Sequence, residues 1–130
     1  MELYTILNRK CCSTNIEAKT KDEALKSLAE LATNSPLLEK YSAGEVFDRL
    51  RSREEQGSTG FGNEIAIPHA RLEGVDDFLL FIALAPKGVE FAAMDKKKVK
   101  LFFVILGPEE KVNEHLKVLA SVSRVVSQGN

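Results

Sequence analysis

Apolar positions along this chain switch between helical and strand-like spacing, and the switches divide it into elements. Ala24, Leu25, Leu28, Leu31 and Ala32 fall on one face of a helix. Thr20, with Glu23 three residues on, predicts a capping box at its start, and Asn34–Pro36 ends it. Ser42 and Glu45 predict a second capping box. Ala43, Val46, Phe47 and Leu50 form the inward stripe of a second helix running to about Arg53.

Strand signals are of two kinds. Leu3–Leu7 reads as a short strand or a helical turn, and Asn15–Ala18 as a short strand. Glu64–Ile67 reads as a strand that stops at Pro68, which pushes Ile67 toward extended backbone and leaves His69 at the strand end. Phe78–Leu84 and Val99–Leu106 are continuous apolar runs, which suits central strands covered by helices on each side. Gly88–Phe91 predicts a further strand or hairpin piece ending near Met94–Lys97. After Gly107 and Pro108, Glu109 and Glu110 open a last helix. Its stripe is Val112, His115, Leu119, Val122 and Val126, broadened by Leu116. The order predicts an α/β fold: one domain with a mixed β-sheet of about five strands, flanked by helices on both faces.

Composition adds limits. At 130 residues the chain is long enough to bury a full core without disulfides or metals. Eighteen basic against nineteen acidic residues leave a net charge of −1, which argues against non-specific binding to nucleic acid or an anionic membrane. Lys96, Lys97, Lys98 and Lys100 form a local basic cluster; it reads first as a solvated turn, with docking of an acidic partner as the alternative. Cys11 and Cys12 are neighbours and fit no zinc or redox spacing. They read as reduced thiols, which suits the cytoplasm. Met1–Lys10 has no signal-peptide core, and the run Phe78–Ala85 is far short of a membrane span, so direct membrane insertion is not expected.

The candidate chemistry gathers around Gly57–Arg71. Gly57, Gly60 and Gly62 allow backbone donors to approach an anion closely, and Ser58 and Thr59 add hydroxyls. His69 follows that loop and a strand end, a place that suits an imidazole meeting a phosphoryl group; its plainer reading is a local strand cap. His115, on the apolar stripe of the last helix, reads alone as a hydrogen-bonded core histidine. The two histidines lack a third ligand at a recognisable spacing, so no metal is expected. Arg53 shares the face of Val46 and Leu50; it either complements the helix C-terminus or clamps phosphate oxygens with its planar fork. Arg49 and Arg51 are expected to face water, and Arg71 to meet a partner protein or an acidic neighbour. Ser58 lacks a G-x-S-x-G elbow, and the loop lacks the lysine and Ser/Thr of a P-loop.

The run S-T-G-F-G-N-E-I-A-I-P-H-A-R resembles the signature of IIA domains of the fructose–mannitol class of the bacterial phosphoenolpyruvate-dependent sugar phosphotransferase system, which includes nitrogen-regulatory IIA proteins. The R-E-x-x-G-S-T-G entry at Arg53–Gly60, the segment Val99–Glu109 and the N-E-H-L-K-V-L-A segment at Asn113–Ala120 extend the likeness over nearly the whole chain. The resemblance implies that His69 carries the phosphoryl group, with Arg53 and His115 as active-site partners. Ser58, Thr59, Gly60 and Gly62 are the expected phosphate-binding positions. It further implies phospho-HPr as donor, a cysteine or histidine of a IIB domain as acceptor, and no cofactor. A regulatory role, in which the phosphorylation state controls partner proteins, is the alternative to sugar uptake. Glu64 departs from the glycine common at its position, and the C-terminal segment looks shortened relative to the family.

Overall fold

The computed structural model describes residues 2–93 and 95–128. Met94, where the expected hairpin piece was to end, lies outside the described residues. The elements are α1 (Lys21–Ala32), α2 (Ala43–Glu55), β1 (Gly60–Gly62), β2 (Ile65–Ala66), β3 (His69–Leu72), β4 (Leu79–Val89), β5 (Val99–Pro108) and α3 (Val112–Gln128), with 3₁₀ turns at Leu3–Thr5, Arg9–Cys11 and Pro36–Leu38.

Both N-terminal helices start where their caps place them. The Ser42 hydroxyl accepts from Glu45 N, and the Glu45 carboxylate accepts from Ser42 N, a complete capping box. At α1 only half of the expected box forms: Thr20 accepts from Glu23 N, while the Glu23 carboxylate reaches past it to Lys19 N.

The five strands form one mixed sheet around β5. On one edge β5 pairs in parallel with β2 and then with β3, which lie end to end; on the other it pairs antiparallel with β4. Leu3–Thr5 is a helical turn, and Asn15–Ala18 is extended chain outside any strand. This N-terminal stretch still covers the open edge of β4, exchanging hydrogen bonds such as Leu80 N→Ile6 O (2.8 Å) and Ile16 N→Leu84 O (2.8 Å). So β4, expected as a central strand, is bordered on one side by irregular chain. It also absorbs the Gly88 piece through a register shift between Leu84 and Val89, where Gly88 takes φ +81°.

Alternation along the long strands fills both faces. Phe81, Ala83, Phe102, Val104 and Leu106 face α1 and α2, packing with Leu25, Leu28, Val46 and Leu50. Ile105 and Leu80 face the other way, toward Val118 and Val122 of α3. Helices therefore cover both faces, as the pattern predicts.

The hairpin between β1 and β2 pairs Gly62 with Ile65, leaving Asn63 and Glu64 as a two-residue turn. Both have positive φ, 56° and 68°. A tight hairpin requires left-handed backbone at both positions and favours glycine at the second, which gives a physical reason for glycine there and makes Glu64 a strained substitute.

Candidate functional site

Proline at position 68 interrupts the edge of the sheet without ending it. Its N cannot donate, so β2 stops at Ala66 and pairing resumes at His69, which opens β3 opposite Ile105. His69 thus begins a strand rather than closing one. Period-two alternation places Ile67, His69 and Arg71 on the α3 face, and the burial of Ile67 in the α3-side core agrees.

His69 is held at both ring nitrogens. Nδ1 lies 2.8 Å from the carbonyl of Ile67, and Arg53 Nε donates to Nε2 at 3.1 Å. An arginine has no acceptor and the carbonyl has no donor, so these contacts fix the tautomer: Nδ1 carries the proton and Nε2 the lone pair. Burial holds the His69 pKa below the ordinary histidine value, and the Arg53 charge adds to that lowering. The Ile67 carbonyl and the negative charge of Glu54 oppose it. The ring is accordingly neutral at neutral pH.

Arg53 reaches the site as its helix phase requires, one turn beyond Leu50. Its Nη1 donates to Gly57 O at 2.8 Å, which leaves the Nε–H aimed at His69.

His115 stands across from His69, ring centroids 5.7 Å apart, and Phe78 packs on its other side at 6.0 Å. It enters because Gly107 of β5 has no side chain: a Cβ there would come within 2.4 Å of Phe78 and 3.3 Å of His115 Nδ1. His115 is 5% exposed, yet neither ring nitrogen has a hydrogen-bond partner among the described residues. Burial first, then the charges of His69 and Arg71, push its pKa down to about 4. The sequence suggested a satisfied core histidine; the structure places an unsatisfied one beside His69. A buried polar ring without partners is costly and calls for an explanation.

An open cleft of about 370 Å³ joins these residues at the seam between α2 and α3, with Arg49, Arg71 and Glu109 on its walls. Val112 and Leu116 line it too and are exposed. Arg71 donates to Glu109 O at 2.8 Å, so it meets a backbone carbonyl, not a carboxylate. Arg49, expected to face water, lines the cleft; Arg51 lies outside it, 3.7 Å from Asp22. The signal for Arg71 was available: two residues beyond His69 on a strand is the same face.

The glycine loop goes elsewhere. Ser58 Oγ donates to Phe91 O and accepts from Gly60 N; Thr59 N and Oγ1 both donate to the Glu54 carboxylate. Gly60 packs so tightly on Ala93 that a Cβ would come within 2.7 Å. Ser58, Thr59, Gly60 and Gly62 are not among the residues lining the cleft. The Ser58 and Thr59 hydroxyls and the Thr59 and Gly60 N–H groups are thus engaged in folding the loop, so these donors are not free to form the expected anion nest. Glu54, 7% exposed and passed over in the sequence, is what captures them.

Fold and cleft together define a small α/β domain that presents a neutral histidine between an arginine and a second, unpartnered histidine. Residues 5–130 match the family described as the phosphoenolpyruvate-dependent sugar phosphotransferase system, EIIA 2, and the chain belongs to that family. Among its relatives, the nitrogen regulatory protein of Pseudomonas aeruginosa is 35% identical over 130 residues, covering 100% of this chain and 83% of that protein. The fructose-specific EIIA component of Haloferax volcanii is 33% identical over 123 residues, 95% of this chain and 79% of that protein. The crystal structure of nitrogen regulatory protein IIA-Ntr from Neisseria meningitidis superposes with a TM-score of 0.87 at 33% identity, over 98% of this chain and 85% of that one. No helix among the described residues is long and apolar enough to cross a membrane.

Proposed function

We propose that this chain is a phosphoryl carrier in which Nε2 of His69 accepts the group from a phosphohistidine donor and later yields it. The observation that supports this best is the pairing of a tautomer-fixed Nε2 lone pair with Arg53 at 3.1 Å and the unpartnered His115 ring opposite. In the resting protein the Arg53 Nε–H occupies the lone pair. When a donor docks, the guanidinium turns its fork to the phosphoryl oxygens and frees Nε2 for in-line attack. A P–N bond forms at Nε2 as the donor's P–N bond breaks, and the donor imidazole leaves. Nδ1–H stays on the Ile67 carbonyl, which stabilises the positive ring of the product. His115 gains the acceptor it lacks and donates to a phosphoryl oxygen. The protein's contribution is positioning and charge neutralisation, and the step needs no metal.

The exposed apolar rim of Val112 and Leu116 beside a cleft with several arginines suits a protein donor such as phospho-HPr. For the output, we favour control of partner proteins by the phosphorylation state. Relatives named nitrogen regulatory protein align along 95–100% of the chain. Delivery to a IIB domain for sugar uptake is the second reading, supported by the fructose-specific relative at 33% identity.

Incubation with phosphoenolpyruvate, enzyme I and HPr tests the carrier role. We expect acid-labile label on the wild type, none on His69→Ala, and transfer slowed about a hundredfold in Arg53→Ala, the order seen when one charge-stabilising donor is removed. Full labelling of His69→Ala contradicts the assignment.

A further inference from the structure

Glu54 is a buried carboxylate that the transfer step does not use, and its surroundings are built. It lies in the last turn of α2, next in sequence to Arg53. Lys21 Nζ of α1 donates to its Oε1 at 2.9 Å while sitting 4.6 Å from the centre of the Phe91 ring. Thr59 N donates to the same oxygen at 3.1 Å, and Thr59 Oγ1 donates to Oε2. The carboxylate is 3% exposed and the Lys21 side chain 23% exposed, so this is a partly dry ion pair that gathers two elements and a loop.

Two paths, one through the loop backbone and one through hydrogen bonds, run from this clamp to the two nitrogens of His69. In the first, Thr59 is tied to the Glu54 carboxylate, the short loop before it turns Gly57 O toward Arg53 Nη1 at 2.8 Å, and Arg53 Nε then meets His69 Nε2; Gly57 N bonds to the main-chain carbonyl of Glu54 and not to its carboxylate. In the second, Thr59 is held by Glu54, Thr59 O accepts from Ile67 N at 3.0 Å, and Ile67 O takes the proton side of His69 Nδ1 at 2.8 Å.

We propose that Glu54, clamped by Lys21 and Thr59, is a positioning residue for phosphoryl transfer: it sets the tautomer and orientation of His69 by fixing the loop whose carbonyls hold both of that ring's partners, Arg53 and Ile67. This rests on the carrier reading for its kinetic consequence, but the tautomer of His69 can be measured without any transfer. Slack of about 1 Å in such a constellation costs up to about a hundredfold in rate. Loosening the clamp therefore slows transfer by more than it lowers the folded fraction.

The test uses Glu54→Gln, Lys21→Met, Thr59→Val and Thr59→Ser, each read two ways. Transfer from phospho-HPr is measured per folded molecule, and ¹⁵N chemical shifts of the His69 ring are recorded in the unphosphorylated protein. We expect Glu54→Gln and Thr59→Val to slow transfer about ten- to a hundredfold and to move His69 from the Nδ1–H form toward a tautomer mixture. Thr59→Ser, which keeps the hydroxyl, should recover most of what Thr59→Val loses. If Glu54→Gln fails to fold, Thr59→Val and Lys21→Met carry the test. Folded variants with reduced thermal stability but wild-type tautomer ratio and rate would overturn the proposal, leaving Glu54 a structural ion pair. Absence of label on the wild type would instead overturn the carrier reading, and the tautomer shifts would still decide the role of Glu54.

Discussion

The two faces of the sheet are held in different ways. Against α1 and α2, the strands bury Phe81, Phe102, Val104 and Leu106 on a dense array that includes Leu25, Leu28, Val46 and Leu50. Against α3, the fully packed set is small: Ile67, Phe78, Leu80, Ile105, Val118 and Val122. α3 also leaves Val112, Leu116 and Val125 exposed. His115 rides on this sparsely tied helix, whereas Arg53 rides on the firmly anchored α2. The contrast teaches where each property resides. The larger buried core lies on the α1/α2 face, and the proposed transfer site sits at the edge where the anchored helix meets the less committed one.

Truncations on the two faces should separate these properties. Phe81→Ala is expected to cost about 3–5 kcal/mol of stability in denaturant unfolding, with transfer per folded molecule nearly unchanged. Val122→Ala should cost only about 1–2 kcal/mol but slow transfer several-fold, because it loosens the helix that carries His115. Equal effects of both variants on transfer per folded molecule would erase the distinction.

A pH titration sharpens the contrast. His115 has its folded pKa pushed down to about 4, against about 6.5 when unfolded. Between those values the unfolded chain binds the extra proton, so stability falls as pH falls from about 6.5 toward about 4. The loss attributable to this ring is about 2–3 kcal/mol. His69, also depressed, adds in the same direction. In His115→Gln, unfolding free energy measured over this range should slope less steeply; an unchanged slope would show that His115 is not desolvated as described.

The smallest effect concerns the hairpin. Glu64→Gly should raise stability by about 0.5–1 kcal/mol by removing left-handed strain at φ 68°. Its exposed pairing with Lys100, at 3.4 Å, offsets little. A destabilised variant would mean that the turn is not strained.

Much of the frame was legible because it rests on local periodicity. The stripe Val46–Leu50–Arg53 put the arginine on the inner face of α2, and the run Val99–Leu106 marked the strand at the centre of the sheet. What was hidden depends on pairing between distant segments. His69 meets His115 only because β3 aligns with Ile105 and because Gly107 leaves a gap for the second ring. The start of α3 moved from Glu109 to Val112 because Lys111 N closes a turn on Pro108 O. The glycine loop looked like an anion nest because its residues suit one equally well. Only the placement of Glu54 beneath it shows that Thr59 is already claimed.

The carrier role proposed for His69 depends on which nitrogen of which ring forms the bond to phosphorus. ¹⁵N-imidazole NMR of the protein phosphorylated through HPr, held at mildly alkaline pH where phosphohistidine survives, reads this directly. The expected result is a single phosphohistidine at Nε2 of His69, with Nδ1 protonated and His115 unmodified. A phosphoryl group on Nδ1 of His69, or on His115, would contradict the assignment of tautomer, nucleophile and supporting ring together.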